Sequence, residues 1–265
     1  MFNSPLNISP LSLKRSGVGA TVTLTTASTA SANIRIQTKS GGTFKVDWGQ
    51  GTPTITASNV YETKTYSPNY SGDVIVYNRN DIDSFFSQVG AWNFDVALMP
   101  KTMTDSLWLV GNSMTIIGNI ANTPQLLTQN LMLSGNSMTI TGNIANTSQL
   151  LTGSLRLDGS SMTTYGDIAA IASGITILII NTPLGEYTYT AGRVWANMTF
   201  VIIRPKAGFI TSTEADNIFI DINNSPLAVA GGTIDLRGNC GAVTSASAAA
   251  RSSLAGKGYT CLFNT

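Results

Sequence analysis

The chain of 265 residues is 43% hydrophobic and only 11% charged, so it can bury one to three compact cores, while Ser, Thr, Asn and Gly supply most polar positions, as is typical of sheet-rich proteins. Fifteen basic and fourteen acidic residues give a net charge of +1, and the absence of a basic cluster argues against nucleic acid as a partner. The longest apolar runs, 175–180 and 200–203, are strand-sized and too short to cross a bilayer.

Residues 1–25 are predicted to form an extended N-terminal arm. Pro5 and Pro10 favour extended backbone, and a Thr-rich run follows them. Such an arm could lie on another subunit, or it could be a frayed terminus. The basic residues Lys14 and Arg15 come after the apolar residues, the reverse of a secretory signal. We therefore expect no export by the general secretory route.

Residues 26–82 are predicted to form a small antiparallel β-sandwich. Runs of alternating apolar and polar residues at 33–37, 44–48 and 73–77 are separated by turn-forming pairs. The second run leads into Val46-Asp-Trp48-Gly-Gln-Gly51, which resembles the Trp-Gly-Asp-Gly signature of the polycystic-kidney-disease (PKD) type of immunoglobulin-like domain. Gln replaces the usual Asp of that signature. The resemblance implies an immunoglobulin-like fold for this segment.

Residues 83–210 contain a repeat with a step of 24 residues. The stretch starting at Met114 returns at Met138, and a third copy starts at Met162. A strand-like segment with two leucines precedes each copy and cannot bury its apolar face alone, so we predict about six coils stacked into a solenoid with a parallel sheet along one side. The predicted repeat residues are Leu107, Leu109, Asn112, Leu131, Leu133, Asn136, Leu155, Leu157, Ile234, Leu236 and Asn239.

The later coils are predicted to be less regular. Ile177 and Ile179 are expected to take the leucine positions of the next coil, and a Val201-Ile-Ile203 strand follows 24 residues after it. The full motif returns at residues 234–239. The asparagines of the repeat are expected to turn inward and bond backbone groups that the bend leaves unpaired.

The repeat resembles the leucine-rich-repeat family, whose pattern is Leu-x-Leu-x-x-Asn-x-Leu. Leu131, Leu133, Asn136 and Met138 occupy the four positions, and the 24-residue step with Gly-Asn-Ile after it is similar to the plant-type variant. Ser160 replaces the asparagine in the third coil, and the Pro that follows Ile in that variant is absent. A generic β-solenoid therefore stays open as an alternative, and the convex side could be a second strand or a loop.

The outward residues of the predicted strands are the sharpest candidate binding site. Neighbouring coils stack about 4.8 Å apart, so these residues should form two adjacent rows. The first row consists of Trp108, Met132 and Arg156, and the second of Val110, Ser134 and Asp158. Soluble monomers seldom expose Trp beside Met, and Trp, Met and Arg are enriched in interface cores. The rows are expected to bind an external ligand, or to be covered by the N-terminal sandwich or a neighbouring subunit.

Residues 211–265 are predicted to form an α/β cap on the solenoid. Thr211 is a helix N-cap, an alanine-rich helix is expected at 245–255, and strands are expected at 233–236 and 259–263. A cap has an evident purpose because open solenoid ends expose apolar faces and unpaired strand edges. The segment is similar to the ending of many phage tail and fibre-associated proteins.

Few catalytic arrangements fit the composition. The chain has no histidine, which removes Ser–His and Cys–His nucleophile pairs and most zinc sites. Cys240 and Cys261 match no zinc spacing and are expected to be free buried thiols, with a single disulfide as the alternative. Asp158 and Asp167 should lie on different sides of one coil, which disfavours the paired carboxylates of a glycosidase. We expect no enzyme activity, no metal and no cofactor.

The whole pattern predicts a mainly β protein: a sandwich, a short leucine-rich-repeat-like solenoid and an α/β cap. An adhesin-like order of domains without an export signal favours a phage virion protein of the fibre, decoration or tail-associated kind, assembled in the host cytoplasm. Its expected partners are other virion proteins or further copies of itself, and a host-surface glycan or protein. A secreted leucine-rich-repeat adhesin on the bacterial surface and a glycan-degrading enzyme are the alternatives.

Overall fold

The computed structural model describes residues 21–226 and 231–265. Within these residues the protein is mainly β, and its strands belong to one mixed sheet. The strands are β1 Val22–Thr38, β2 Thr43–Asp47, β3 Thr54–Ala57, β4 Tyr61–Val76, β5 Ile82–Ser87, β6 Trp92–Asp95, β7 Ser106–Val110, β8 Thr115–Asn119, β9 Asn130–Ser134, β10 Ser137–Asn143, β11 Ser154–Asp158, β12 Thr163–Asp167, β13 Ile177–Asn181, β14 Glu186–Thr188, β15 Phe200–Arg204, β16 Gly232–Asp235 and β17 Tyr259–Leu262. The helices are α1 Ser212–Asn224 and α2 Ala248–Gly256.

The N-terminal strands pair in antiparallel fashion. β1 runs alongside β4 from the Val22–Val76 pair to the Arg35–Tyr61 pair, and β2 pairs with both β3 and β4. Trp48 is buried under these strands, and its Nε1 donates to Thr54 Oγ1 at 2.9 Å. The predicted arm is too long at its C-terminal end, because residues 22–25 belong to β1. Its residues 1–20 lie outside the described part of the chain.

From β5 onward the chain alternates between two parallel ladders. The first ladder pairs β5, β7, β9, β11, β13, β15, β16 and β17 in this order. The second ladder pairs β6, β8, β10, β12 and β14. β1 joins both, because its C-terminal end pairs with β5 and its earlier part pairs with β6. The antiparallel strands and the ladders therefore form one continuous sheet.

The leucines of the repeat line the interior. In the first ladder Leu107, Leu131 and Leu155 pair with one another at the 24-residue step. The predicted leucine positions of these strands have no exposed surface, and each buried leucine contributes about 1.5–3 kcal/mol through the hydrophobic effect. Met114, Met138 and Met162 are buried beside them. The two ladders thus enclose one apolar core.

The register of β13 and β15 differs from the predicted one. Leu155 pairs with Leu178, which pairs with Val201, so the step here is 23 residues. Leu178 and Ile180 are buried, whereas Ile177 and Ile179 are partly exposed. A shift of one residue turns every side chain of a strand to its other face. The prediction that Ile177 and Ile179 point inward is therefore wrong.

The prediction of inward asparagines is also wrong. Asn112 and Asn136 are exposed, and so is Asn239, although its Nδ2 donates to Pro205 O at 2.9 Å. The backbone closes the bends instead: Gly111 N donates to Ser134 O, and Gly135 N donates to Asp158 O. Buried methionine side chains fill the interior beside these bends.

A different polar position closes each coil. Asn119, Asn143 and Asp167 end strands of the second ladder, and each side chain accepts a hydrogen bond from the backbone N–H two residues later, at 2.8–2.9 Å. Each of these hydrogen bonds caps a short 3-10 turn, and the isoleucine that begins the turn is buried. Gly142 precedes one of these caps with a φ of +105°, and a Cβ there would strike the Asn119 side chain. Glycine is therefore required by both backbone conformation and packing.

The helices replace the second ladder at the C-terminal end. α1 connects β15 to β16, and α2 connects β16 to β17, so the first ladder continues while the chain returns through a helix. Thr211 caps α1 in a reciprocal arrangement with Glu214. Neither of these two helices, within the described residues, has the length and apolar character that a bilayer crossing needs.

Candidate functional site

The outward side chains of the first ladder form a continuous row. Register pairs join each member to the next, and the row continues across β1 and β4. We call this set the outer row: Tyr61, Arg35, Phe86, Trp108, Met132, Arg156, Ile179 and Ile202. Adjacent strands lie about 4.8 Å apart, so its seven steps span about 34 Å.

The structure places the predicted residues Trp108, Met132 and Arg156 at the centre of the outer row. Each is partly exposed, while the residues before and after it in its strand are fully buried. The N-terminal strands lengthen the row through Arg35 and Tyr61. Among the described residues they cover Phe86, which is buried with Arg35 over its ring, but they leave Trp108, Met132 and Arg156 partly exposed.

Aromatic rings and a guanidinium stack at the N-terminal end of the outer row. The Cζ atom of Arg35 lies 3.9 Å from the centroid of the Phe86 ring and 4.9 Å from that of Tyr61. The Phe86 and Trp108 rings follow at 6.0 Å between centroids. Arg35 forms no ion pair with any carboxylate of the described residues. Its charge is held by the ring faces alone, a cation–π arrangement.

The second predicted row is a hydrogen-bonded network. Val110, Ser134 and Asp158 are adjacent in register. Asp158 accepts hydrogen bonds from Arg156 Nη2 at 2.6 Å, Asn181 Nδ2 at 2.9 Å and Ser134 Oγ at 3.3 Å. Ser134 is buried, so this row offers less free surface than the outer row beside it.

A second arginine cluster lies at the C-terminal end of the face. Asp235, which pairs in register with Ile202 of the outer row, accepts from Arg204 at 2.7 Å and from Arg237 at 3.0 Å. Burial alone raises the pKa of this carboxyl, but the hydrogen bonds and charges of the two arginines outweigh it and hold the pKa below its usual value. Two guanidiniums share one carboxylate, which leaves an excess of positive charge here.

Three N–H groups of the outer row have no hydrogen-bond partner. They are Arg35 Nε, Trp108 Nε1 and Arg156 Nε, and all three are shielded from solvent. Only five buried side-chain N or O atoms in the described residues share this condition, and the other two belong to Arg193 and Arg251. A shielded donor without a partner costs about 1–3 kcal/mol. The outer row therefore concentrates unsatisfied hydrogen-bond donors.

The other candidate groups are placed elsewhere. Cys240 and Cys261 are both free, and burial raises the pKa of Cys240 to about 12. Asp158 lies in the first ladder and Asp167 caps a turn after the second, so they are on different sides of a coil. Within 21–226 and 231–265, no group of three or more Cys, Asp or Glu residues could hold a metal ion.

The second ladder carries a separate surface feature. A shallow depression of about 360 Å³ is lined by Thr163, Tyr165, Leu184, Glu186 and Lys206. Tyr165 is half exposed, and Lys206 pairs with Glu186 at 2.6 Å between Nζ and Oε1. Sequence reasoning did not identify this feature or the arginines 35, 204 and 237. A strand alternation that extends through β1 and β15 was the available signal for the arginines.

No known family, curated protein or solved structure matches this chain. Function is therefore inferred from the side chains themselves. The outer row combines partly exposed aromatic, methionine and arginine side chains, a combination enriched in the cores of protein interfaces. Its chemistry suits binding: the nearest carboxylates, Asp158 and Asp235, are each held by arginine.

Proposed function

We propose that this chain is a structural and adhesion protein of a phage particle, of the fibre, decoration or tail-associated kind, and that the outer row binds a partner subunit or the host surface. The binding role is carried by one observation: eight residues in register form a row, and within the described part of the chain every member except the buried Phe86 keeps exposed surface, including Trp108, Met132 and Arg156. Such a row is unusual on a monomer that binds nothing.

Two resemblances support the virion assignment. The order of PKD-like strands followed by leucine-rich-repeat-like coils is similar to that of phage virion and bacterial surface proteins, and the C-terminal segment is similar to phage tail-associated proteins. We propose that the two ladders are a solenoid of this repeat type, which would present the outer row as a rigid ribbon. A non-catalytic role fits the lack of histidine and the engagement of Asp158 and Asp167 in structural hydrogen bonds.

Removing the central anchors of the outer row tests the binding role. The double variant Trp108→Ala/Arg156→Ala should weaken association with the particle or host cell by about 700-fold or more, because buried Trp and Arg anchors each contribute about 2 kcal/mol or more and each step of about 1.4 kcal/mol is tenfold. Association is measured by pull-down of purified particles and by binding to host cells. The matched control is Tyr165→Ala/Lys206→Ala, which removes an aromatic and a cation from the shallow depression beside the second ladder.

We expect the control variant to bind as the unmodified chain does. We also expect both variants to unfold at a similar temperature. Unchanged association of the Trp108→Ala/Arg156→Ala variant would remove the outer row from consideration.

Mass spectrometry of purified particles tests the virion assignment separately. Detection of the chain in the bacterial envelope fraction and its absence from particles would favour the surface adhesin instead.

A further inference from the structure

We infer that the ligand of the outer row is an acidic polysaccharide that lies across the strands. This inference rests on the proposed function, because it names the class of host-surface molecule that this face would bind.

The backbone of this face is already fully paired. Every strand from β5 to β16 in the first ladder has a neighbour on both sides. An extended peptide commonly binds a sheet by adding a strand to a free edge, and the middle of this ladder has no such edge. A ligand that runs along the outer row therefore meets side chains only.

The side chains of the row offer flat apolar surface. Trp108 and Met132 are partly exposed neighbours, and Ile179 and Ile202 add apolar surface beyond Arg156, whereas Phe86 is buried with Arg35 over its ring. The faces of aromatic rings carry partial negative charge, so they attract the positively polarised C–H groups on the faces of sugar rings. A ribbon one side chain wide suits a linear chain of sugars better than a protein surface, which needs pockets for its anchors.

The unpartnered polar groups of the row are hydrogen-bond donors, so a ligand that binds them must supply acceptors. The three unpartnered groups, on Arg35, Trp108 and Arg156, are all N–H donors. Arg35 also lacks a carboxylate partner, and Arg204 and Arg237 share a single one. Arginine binds a carboxylate through two parallel hydrogen bonds, and carboxylates are common substituents of acidic sugars. A polysaccharide with carboxylates and hydroxyls would supply what these donors lack.

The spacing of the donors is regular. The donors lie on β1 (Arg35), β7 (Trp108) and β11 (Arg156), and one strand separates each of them from the next. The donors therefore recur about every 10 Å along the row, which is comparable to the repeat of two sugars in an extended chain. Met132 lies between Trp108 and Arg156. Its unbranched side chain can adopt other rotamers, which would open Trp108 Nε1 and Arg156 Nε on either side of it to the ligand.

A panel of acidic polymers and their neutral forms tests the inference. Polygalacturonate, alginate, polysialic acid and capsular polysaccharides of the host would each be compared with the same polymer after reduction of its carboxyl groups. Calorimetry should show at least one acidic polymer binding tenfold or more tightly than its reduced form, and binding that weakens as salt rises. Arg35→Gln should weaken this binding about tenfold or more, since it removes a charged hydrogen-bond donor.

Lys206→Gln is the matched control, since it removes one positive charge away from the outer row, where Lys206 pairs with Glu186, and should leave binding unchanged. The inference is overturned if no acidic polymer binds more tightly than its reduced form, or if Arg35→Gln binds as the unmodified chain does. In that case the proposed function still stands if Trp108→Ala/Arg156→Ala loses attachment to particles or cells. If that double variant attaches normally, the proposed function fails as well.

Discussion

At the scale of single residues, the polar caps of the second ladder explain how the coils close. Asn143 accepts a hydrogen bond from Ala145 N at 2.9 Å, and this bond ends β10 and starts the following 3-10 turn. Asn119 and Asp167 do the same in the neighbouring coils. Since these groups stack at equivalent places, each coil repeats one bend.

Asn143→Ala should lower the free energy of unfolding by about 1 kcal/mol, because an N-cap acceptor is lost. Urea denaturation followed by circular dichroism measures the change. Asn136→Ala is the control, as this asparagine lies in the same coil but is exposed, and its effect should stay within about 0.5 kcal/mol. Equal losses for the two variants would show that Asn143 does not act as the cap.

The sequence predicts the buried leucines better than the asparagines, for a physical reason. Leu155 and Leu157 alternate with polar residues in β11, and burial of an apolar side chain is decided by such alternation. The direction of Asn136 depends on how the backbone bends at Gly135, where a hydrogen bond to Asp158 O already closes the bend. That bond joins residues of different coils, so no local pattern reveals it.

At the scale of elements, the attachment of α1 depends on a buried carboxylate. Asp216 accepts hydrogen bonds from Thr244 N at 3.0 Å and from the hydroxyls of Thr244 and Ser247, which tie α1 to the segment before α2. Burial alone raises the pKa of Asp216, but these hydrogen bonds outweigh it and leave the pKa below the usual 3.8. The carboxylate therefore contributes to stability only while it is ionised.

The sign of the pH dependence follows from this lowered pKa. The contribution of Asp216 is complete above the unfolded value of 3.8 and is lost as pH falls through the lower folded value. Asp216→Asn should therefore destabilise the protein at pH 7, and the difference from the unmodified chain should shrink below about pH 4. Urea unfolding at pH 7, 5, 4 and 3 measures both. A difference that stays constant down to pH 3 would contradict this role.

Strand register is the part of the element structure that sequence reasoning missed. Between β11 and β13 the step shortens from 24 to 23 residues, and four consecutive apolar residues from Ile177 to Ile180 leave the inward pair undefined. Only pairing with Leu155 and Val201 decides that Leu178 and Ile180 are buried. β11, in which Leu155 and Leu157 alternate with polar residues, contains no such ambiguity.

At the scale of the whole molecule, β1 unites the N-terminal strands with both ladders. It pairs with β4, β5 and β6 over 17 residues. The sequence predicted parallel stacking from the repeat, but it did not predict this long-range antiparallel pairing, which has no periodic signal. One consequence is functional: Arg35, near the end of β1, extends the outer row beyond the repeat.

Thiol labelling along β9 tests most directly whether the outer row is the contact surface. Labelling at pH 8 should find a Met132→Cys variant reactive in the free protein, since Met132 is partly exposed, and Leu133→Cys unreactive, since Leu133 is buried. The native thiols give little background, because burial raises the pKa of both Cys240 and Cys261. We expect Met132→Cys to be protected from labelling once the protein is bound to the particle or host surface; equal labelling in the free and bound states would contradict the proposal that the outer row is the contact surface.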